Sequence, residues 1–239
     1  MTFSYPGAEE PALHDISFSA APGQVTAIIG GTGSGKSTLL NLIPRFYDID
    51  SGRILVDGLD VRDMSQKHLR DKIGLVPQKA MLFSGTIAQN IRNGKEDATD
   101  EEVVHAAEIA QATEFIDEMP DRFDSFIAQG GINVSGGQKQ RLSIARALVR
   151  KPEIYLFDDS FSALDFKTDA KLRTALKREI RNATVLIVSQ RVSTVMDADQ
   201  IIVLDDGHIA GIGSHDELMK NSELYYEIVS SQLSLEEIA

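Results

Sequence analysis

A glycine-rich stretch near the start of the chain combines the residue types that bind a phosphate chain. It consists of Gly30, Gly31, Thr32, Gly33, Ser34, Gly35, Lys36, Ser37 and the adjoining Thr38. It fits the P-loop pattern, and its glycines allow backbone N–H groups to converge on phosphate oxygens. Lys36 would then bridge the β- and γ-phosphates, and Ser37 would bind Mg²⁺. The alternative is a flexible turn with a surface lysine, which the strand-like and helix-like segments on either side make less favourable.

Two neighbouring carboxylates follow an apolar run farther along the chain. The run is Ile154 to Phe157, and Asp158 and Asp159 come directly after it. A carboxylate at the carboxyl end of a central strand can hold Mg²⁺ beside a P-loop, so Asp158 is the candidate for that role. Asp159 would then face the γ-phosphate and the attacking water. The alternative is a surface turn with two solvated acids, which the presence of a P-loop disfavours.

Apolar runs and helical patterns supply the elements that would position these groups. The strand-like runs are Val25–Ile29, Ile73–Val76, Ile154–Phe157, Thr184–Val188 and Ile201–Leu204. They are continuous rather than alternating, as expected for parallel strands that are covered on both faces. Helices are predicted between them, over Thr38–Ile43, Gln138–Val149 and Phe166–Ile180, and capping boxes are predicted at Thr99 with Glu102 and at Ser214 with Glu217. Alternating strands and helices predict an α/β fold.

Composition and charge exclude several classes of protein. The 239 residues carry a formal net charge of -12, which repels nucleic-acid phosphates and anionic lipid headgroups. Cysteine is absent, so neither a disulfide framework nor thiolate chemistry is expected. The sequence contains neither an apolar run of the roughly 18–20 residues that a membrane span needs nor a signal peptide. The first residues, Met1 to Tyr5, have the pattern of a strand, which suggests an excised domain with an added Met1.

A second glycine pair carries the pattern that identifies a family. Val134-Ser135-Gly136-Gly137-Gln138 is followed by Lys139-Gln140-Arg141-Leu142-Ser143-Ile144-Ala145-Arg146-Ala147. Ser135 can cap a helix, and the glycines let backbone N–H groups approach an anion. This stretch resembles the signature of ABC transporters, usually Leu-Ser-Gly-Gly-Gln, which in that family binds the γ-phosphate held by the opposite subunit. A flexible turn with a cap is the alternative, and the long match that follows disfavours it.

Other residues match the same family in the same order. Tyr5 resembles the aromatic residue that stacks on adenine, although a core tyrosine would look the same. Gln78, after the strand-like Ile73–Val76, resembles the glutamine that reaches towards Mg²⁺ and water. The D-loop of the family lies across a dimer interface, and its counterparts here are Ser162, Ala163, Leu164 and Asp165. Phe83 to Ile87 and Pro44 to Asp48 look more like exporters than importers.

The resemblance implies a fold and a division of the chain. The fold would be a P-loop NTPase (RecA-like) α/β core with an inserted α-helical subdomain and an antiparallel β portion at the N-terminus. Residues 1–82 and 137–239 would form the core, and residues 83–136 the helical subdomain with the signature loop. The whole of 1–239 would be one nucleotide-binding domain.

Two of the positions that depart from the family pattern would be catalytic. The family usually has Glu where this chain has Asp159, and Asp is one methylene too short for a good hydrogen bond to the attacking water. The family has a switch histidine where this chain has Gln190, and a neutral amide cannot carry the imidazole's proton or charge. Gln129 also stands where exporters have Glu before the signature.

The resemblance therefore predicts an ATPase subunit with ATP and Mg²⁺ as cofactors and a slow site of its own. Its partners would be a second nucleotide-binding domain, in a heterodimer, and a transmembrane domain that attaches it to the cytoplasmic face of the cell membrane. A non-hydrolysing latch stabilised by ATP is the alternative. A soluble ABC ATPase of DNA repair or chromosome structure is disfavoured, because this acidic chain has neither long coiled-coil insertions nor basic surfaces.

Overall fold

The computed structural model describes residues 1–233, which fall into two compact units. The discontinuous unit joins residues 1–73 to the described residues from 184 onward, and the central unit is Gly74–Ala183. Each unit carries its own part of the predicted chemistry and is described by itself.

Apolar runs of the discontinuous unit form a mainly parallel sheet. Its strands are β1 (Val25–Ile29), β8 (Thr184–Val188), β9 (Gln200–Asp205) and β10 (His208–Gly213). They lie in the order β10-β9-β1-β8, and β1 is parallel to both β8 and β9. β10 returns antiparallel to β9. Because four of the five residues of β1 are buried, its unbroken apolar sequence fits a strand covered on both faces.

Helices of the discontinuous unit cover that sheet. They are α1 (Lys36–Leu42), α2 (Gln66–Asp71), α8 (Val192–Val195), α9 (His215–Asn221) and α10 (Glu223–Ser230). A buried apolar cluster joins β1 and β9 to the last three of these helices, and its largest member, Tyr225, is fully buried. Burying an aromatic side chain of this size contributes several kcal/mol, on the order of 25 cal/mol per Å². β1 is therefore held in place by the C-terminal helices.

The antiparallel portion of the discontinuous unit is small. It contains the hairpin of β2 (Leu55–Val56) and β3 (Leu59–Asp60). The predicted N-terminal strand is reduced to two isolated antiparallel bridges, Thr2 with Ser51 and Phe3 with Leu13. Its two partners belong to different segments, so no continuous ladder forms.

The central unit contains the acidic strand end and five α-helices. Its strands are β4 (Ile73–Val76), apart from the first residue, β5 (Gly85–Thr86), β6 (Phe126–Ile127) and β7 (Ile154–Asp158). Its helices are α3 (Ile87–Arg92), α4 (Asp100–Ile109), α5 (Thr113–Asp117), α6 (Gly136–Leu148) and α7 (Phe166–Glu179), with single 3₁₀ turns at Arg122–Asp124 and Gln129–Gly131. α3 and α4 both pack on α6. The predicted helical subdomain, 83–136, lies within this unit and also holds the short pair of β5 and β6; its boundaries stay a prediction.

The α/β fold with a parallel sheet is confirmed, and so are both predicted capping boxes. β1, β4 and β8 have the predicted bounds, while β9 is one residue longer at each end. α6 begins two residues before the predicted start, because Ser135 caps it and both glycines adopt helical backbone. Within residues 1–233, no helix is long and apolar enough to cross a membrane.

Candidate functional site

The glycine-rich loop connects the end of β1 to the start of α1, and two of its glycines are required by close contacts. A Cβ on Gly30 would lie 2.0 Å from the carbonyl oxygen of Leu204, a distance that no side chain can adopt. Gly35 is the N-cap residue of α1, with a left-handed φ of 95°, and a Cβ there would lie 2.7 Å from Leu13 Cδ2. The loop is therefore packed against β9 and against the N-terminal segment.

The outer side of the same loop is open. Among residues 1–233, no atom beyond the neighbouring residues lies within 4 Å of a Cβ built on Gly31 or on Gly33. Gly33 also has a left-handed φ of 86°. Gly31, Thr32 and Gly33 are exposed, so their backbone can be approached from solvent, which fits a cradle for phosphate oxygens.

Lys36 lies beneath the exposed residues Gly31 to Gly33, which form the open outer rim of the loop. It is only 7% exposed, and its ammonium group donates hydrogen bonds to the carbonyl oxygens of Gly30 (2.9 Å) and Gly31 and to Ser34 Oγ (3.3 Å). Ser37, the predicted magnesium ligand, is the second residue of α1 and is partly buried. The loop therefore holds a buried cation and a hydroxyl oxygen at the start of a helix, a combination that suits a phosphate chain with its magnesium ion.

Tyr5 stands at the surface beside the first turn of α1. Its ring meets Phe3 and Tyr47 edge-on, with centroids 5.0 Å and 5.3 Å away, and 36% of the residue is exposed. Its hydroxyl hydrogen-bonds Thr38 Oγ1 at 2.9 Å. This tyrosine is not a core residue, and part of its surface is available for stacking on a base.

The segment that carries Gln190 follows β8, next to the P-loop strand. The N–H of Ser189 donates to the carbonyl oxygen of Ile28 in β1 (3.2 Å), and Ser189 Oγ accepts the N–H of Arg191 (3.0 Å). Gln190 itself is exposed. Its backbone is also bound by Gln232, a residue that the sequence did not point to.

The two adjacent aspartates at the end of β7, Asp158 and Asp159, are both buried. Asp158 is 9% exposed and Asp159 is 8% exposed. Asp159 adopts a left-handed φ of 43°, which a non-glycine residue rarely does. Its Oδ2 is 3.4 Å from Gln78 Nε2, whereas its Oδ1 has no hydrogen-bond partner among residues 1–233. A buried carboxylate oxygen without a partner fits a site that a hydrated cation or a water molecule would complete.

Gln78 begins a loop whose backbone is held from two sides. Ser160 Oγ donates to the carbonyl oxygen of Val76 (2.9 Å). Gln140 Nε2, from α6, donates to the carbonyl oxygen of Pro77 (3.1 Å). Gln140 is 3% exposed, and nothing in the sequence assigned it this contact. The glutamine loop is thus connected to the helix that follows the signature.

The signature residues form an exposed, capped helix start. Ser135 Oγ accepts the N–H of Gln138 (3.2 Å), and Gln138 Oε1 accepts the N–H of Ser135 (2.9 Å). In the described part of the chain, no atom outside its own helix turn lies within 4 Å of a Cβ built on Gly136. A Cβ on Gly137 would lie 3.2 Å from the carbonyl oxygen of Ala163. The serine hydroxyl proton is not used in this capping box, so it can be donated to an anion that approaches the positive end of α6.

The predicted D-loop follows the acidic pair. Ser162, Ala163 and Asp165 are exposed, and Leu164 is buried. Asp165 caps α7 by accepting the N–H of Thr168 (3.0 Å), and hydrogen bonds from that backbone and from the Thr168 hydroxyl lower the pKa of Asp165. Ser162, Ala163 and Asp165 give the loop an exposed surface, which suits a protein interface.

The oxygen-rich residue types suit magnesium bound together with a nucleotide. The hydroxyl of Ser37, the carboxylate of Asp158 and the carboxamide of Gln78 are each an oxygen ligand of the type that Mg²⁺ prefers. Among residues 1–233 no group of three or more His, Cys, Asp or Glu side chains could hold a metal ion. A magnesium ion bound by any of these side chains would take further ligands from phosphate and water, as is usual for this ion.

Comparisons with known proteins agree on one family. The family model described as ABC transporter matches residues 13–162. An uncharacterized ABC transporter ATP-binding protein of Mycobacterium tuberculosis is 50% identical over 234 residues, which is 97% of this chain and 40% of that protein. A putative multidrug export ATP-binding/permease protein of Bacillus subtilis is 42% identical over 232 residues, 97% of this chain and 40% of that protein.

A solved structure shows the same fold. It is described as a bacterial Atm1-family ABC exporter with ATP bound, and it matches with a TM-score of 0.94 at 40% identity, over 98% of this chain and 41% of that one. The chain therefore spans about two fifths of the length of the proteins it matches.

Proposed function

The chain belongs to the ABC transporter family, and we propose that it binds and hydrolyses ATP as the nucleotide-binding domain of an exporter. The observation that carries the proposal is the P-loop, with its open outer rim over the buried ammonium group of Lys36. Relatives named as multidrug export proteins, and an exporter structure described as having ATP bound, support the choice of ligand and of transport direction.

Each residue has a defined task in this proposal. Backbone N–H groups of the loop and Lys36 bind the β- and γ-phosphates, and Tyr5 stacks on the adenine. Ser37 and Asp158 hold the magnesium ion, which neutralises phosphate charge, and Gln78 contacts the ion and the attacking water. Retention of all these residue types supports tight binding of MgATP.

Hydrolysis at this chain's own site is proposed to be slow. Asp159 must orient and deprotonate the attacking water, but it has the shorter carboxylate arm, and Gln78 already lies 3.4 Å from one of its oxygens. Gln190 can donate a hydrogen bond to the γ-phosphate but brings no positive charge. Loss of a well-positioned base typically lowers a rate by about 10²–10⁴-fold.

The assembly that fits this asymmetry is a heterodimer with a second nucleotide-binding domain. The capped, exposed signature helix of this chain, from Ser135 to Gln138, completes the site built on the partner's P-loop. The exposed D-loop residues contribute to the same interface. The partner then carries the usual Glu and His and performs most of the hydrolysis, while the present chain's own site holds ATP longer. A transmembrane domain anchors the pair at the cytoplasmic face of the membrane.

One observation favours a second candidate function, a latch that binds ATP without hydrolysing it. Asp159 is buried and adopts a left-handed backbone, so its carboxylate cannot swing outward to compensate for its shorter length. ATP bound at this site would then stabilise the closed dimer without turnover. Phosphate release from the complex with its natural partner separates the two functions.

The binding proposal is tested by calorimetry with MgATP. Lys36→Ala is expected to abolish binding, because it removes the only side chain of the loop that brings positive charge. Lys67→Ala is the matched control, since Lys67 is an exposed lysine of α2 that pairs with Asp71 (2.6 Å). An unchanged affinity in Lys36→Ala would overturn the assignment.

The asymmetry is tested on the purified complex. Ser135→Ala in this chain and, separately, replacement of the partner's catalytic Glu should each remove most of the ATPase activity, whereas Asp159→Asn should change it little. Asp159→Asn that stops turnover as completely as the partner's substitution would refute the asymmetric assignment.

A further inference from the structure

A glutamine near the end of the described chain holds the backbone on both sides of the switch position. Gln232 Oε1 accepts the N–H of Val192 (2.9 Å), and Gln232 Nε2 donates to the carbonyl oxygen of Gln190 (2.8 Å). One primary amide therefore makes two hydrogen bonds to a segment that is 40 residues away in the sequence. Such a bidentate contact fixes orientation as well as position, because both ends of the amide are used.

The contact meets a need of the segment itself. Val192 is the first residue of α8, and its N-cap residue, Arg191, makes no capping hydrogen bond with its side chain. The first N–H groups of a helix need acceptors from outside the helix, and Gln232 provides one of them. Without Gln232, the N-terminal turn of α8 would lose this acceptor, and the carbonyl oxygen of Gln190 would lose a donor, while the N–H of Arg191 would stay bonded to Ser189 Oγ.

The base of Gln232 is itself firmly anchored. It follows α10, whose residues Tyr225 and Val229 are fully buried against β1 and α8. The N–H of Gln232 also donates to the carbonyl oxygen of Val229 (3.0 Å). The position of the Gln232 amide is therefore fixed relative to β1, the strand that leads into the P-loop. Through its hydrogen bond, the amide fixes the backbone of Gln190 relative to the same strand.

We propose that Gln232 is a positioning residue that holds the backbone of Gln190 so that its exposed side chain can contact the γ-phosphate of bound ATP. The inference rests on the proposed function. Gln232 lies outside the sequence motifs of the site, and in this proposal it determines how well the site distinguishes ATP from ADP.

Two substitutions separate the components of the contact. Gln232→Leu removes both hydrogen bonds at similar side-chain volume. Gln232→Glu keeps an acceptor for Val192 but loses the donor and places a negative charge beside the carbonyl oxygen of Gln190. Gln66→Leu is the matched control, because Gln66 is an exposed glutamine in the first turn of α2.

The experiment measures the dissociation constants of MgATP and MgADP for each variant. Gln190→Ala should lower the preference for ATP by at least about tenfold, the net value of one hydrogen bond to a charged group. Both Gln232 variants should lower it by a similar factor, with MgADP affinity unchanged. Gln66→Leu should leave both affinities as they are. The double variant Gln190→Ala/Gln232→Leu should lose no more than either single variant.

A purely structural glutamine would give a different result. It would weaken ATP and ADP equally, or lower the unfolding midpoint without changing their ratio, and either outcome overturns the inference. A preference for ATP that survives both Gln190→Ala and Gln232→Leu also overturns it. If the unmodified chain binds neither nucleotide, the proposed function fails first. If Gln190→Ala alone loses the preference, only the role of Gln232 is refuted.

Discussion

Replacing Asp159 by Asn is expected to stabilise the folded chain. The carboxylate is 8% exposed, its Oδ1 has no hydrogen-bond partner among residues 1–233, and its Oδ2 has only the 3.4 Å contact with Gln78. A buried polar group left without a partner typically costs about 1–3 kcal/mol, and a charged group costs more than a neutral amide. Asn removes the charge at nearly the same volume and tolerates the left-handed φ of 43°. We therefore expect the free energy of unfolding to rise by about 1–2 kcal/mol.

A second aspartate serves as a control that separates the effect of burial on stability from the effect of the left-handed backbone. Asp206 has a left-handed φ of 41° and is exposed. Asp206→Asn makes the same change of charge and of side-chain chemistry without relieving any burial. It should alter the stability by no more than about 0.5 kcal/mol.

Urea unfolding at neutral pH without nucleotide measures both variants. Asp159→Asn should move the midpoint to higher urea with an unchanged m-value, which identifies a change of stability rather than of compactness. An Asp159→Asn chain that is no more stable than the unmodified one, with Asp206→Asn neutral, would refute the argument. The carboxylate would then have to be adequately solvated or bonded in the folded state. A gain would instead indicate that the site keeps an unfavourable acid for its function.

Three further outcomes are expected. Gly30→Ala should lower the unfolding midpoint strongly, because the added Cβ would lie 2.0 Å from the carbonyl oxygen of Leu204. Gly31→Ala should leave the midpoint unchanged, and equal midpoints for the two variants would contradict this geometry. Tyr5→Ala should weaken MgATP binding by about 1 kcal/mol or more through lost stacking, and calorimetry showing no loss would remove Tyr5 from the site. Asp159→Glu combined with Gln190→His should raise ATP turnover under dimerising conditions, and an unchanged rate would show that the defect lies elsewhere.

Much of the framework follows from local sequence signals. The run Val25–Ile29 forms β1 with the predicted bounds, because an unbroken apolar segment satisfies a strand that is buried on both faces. Thr99 and Ser214 begin helices as predicted, because a capping box requires only four consecutive residues. The P-loop, too, is encoded in a contiguous stretch.

Contacts between distant segments could not be predicted in this way. The amides of Gln140 and Gln232 bind backbone groups 63 and 40 residues away, and a lone glutamine has no sequence signal for such a partner. The left-handed backbone of Asp159 and its buried orphan oxygen also depend on the packing around the end of β7. Tyr5 could equally have been a core residue, because its exposure depends on how Phe3 and Tyr47 pack beside it.

The hydrogen bonds of Lys36 have a consequence for calorimetry. Its ammonium group already donates to two carbonyl oxygens and one hydroxyl of its own loop. A phosphate chain that binds this ammonium group must break some of these hydrogen bonds. Binding therefore exchanges hydrogen bonds within the loop for hydrogen bonds to phosphate. The measured heat of binding would equal the difference between the hydrogen bonds formed to phosphate and those broken within the loop. It would therefore be smaller than the number of new phosphate contacts suggests. Because the same bonds shape the loop beforehand, little ordering entropy remains to oppose binding.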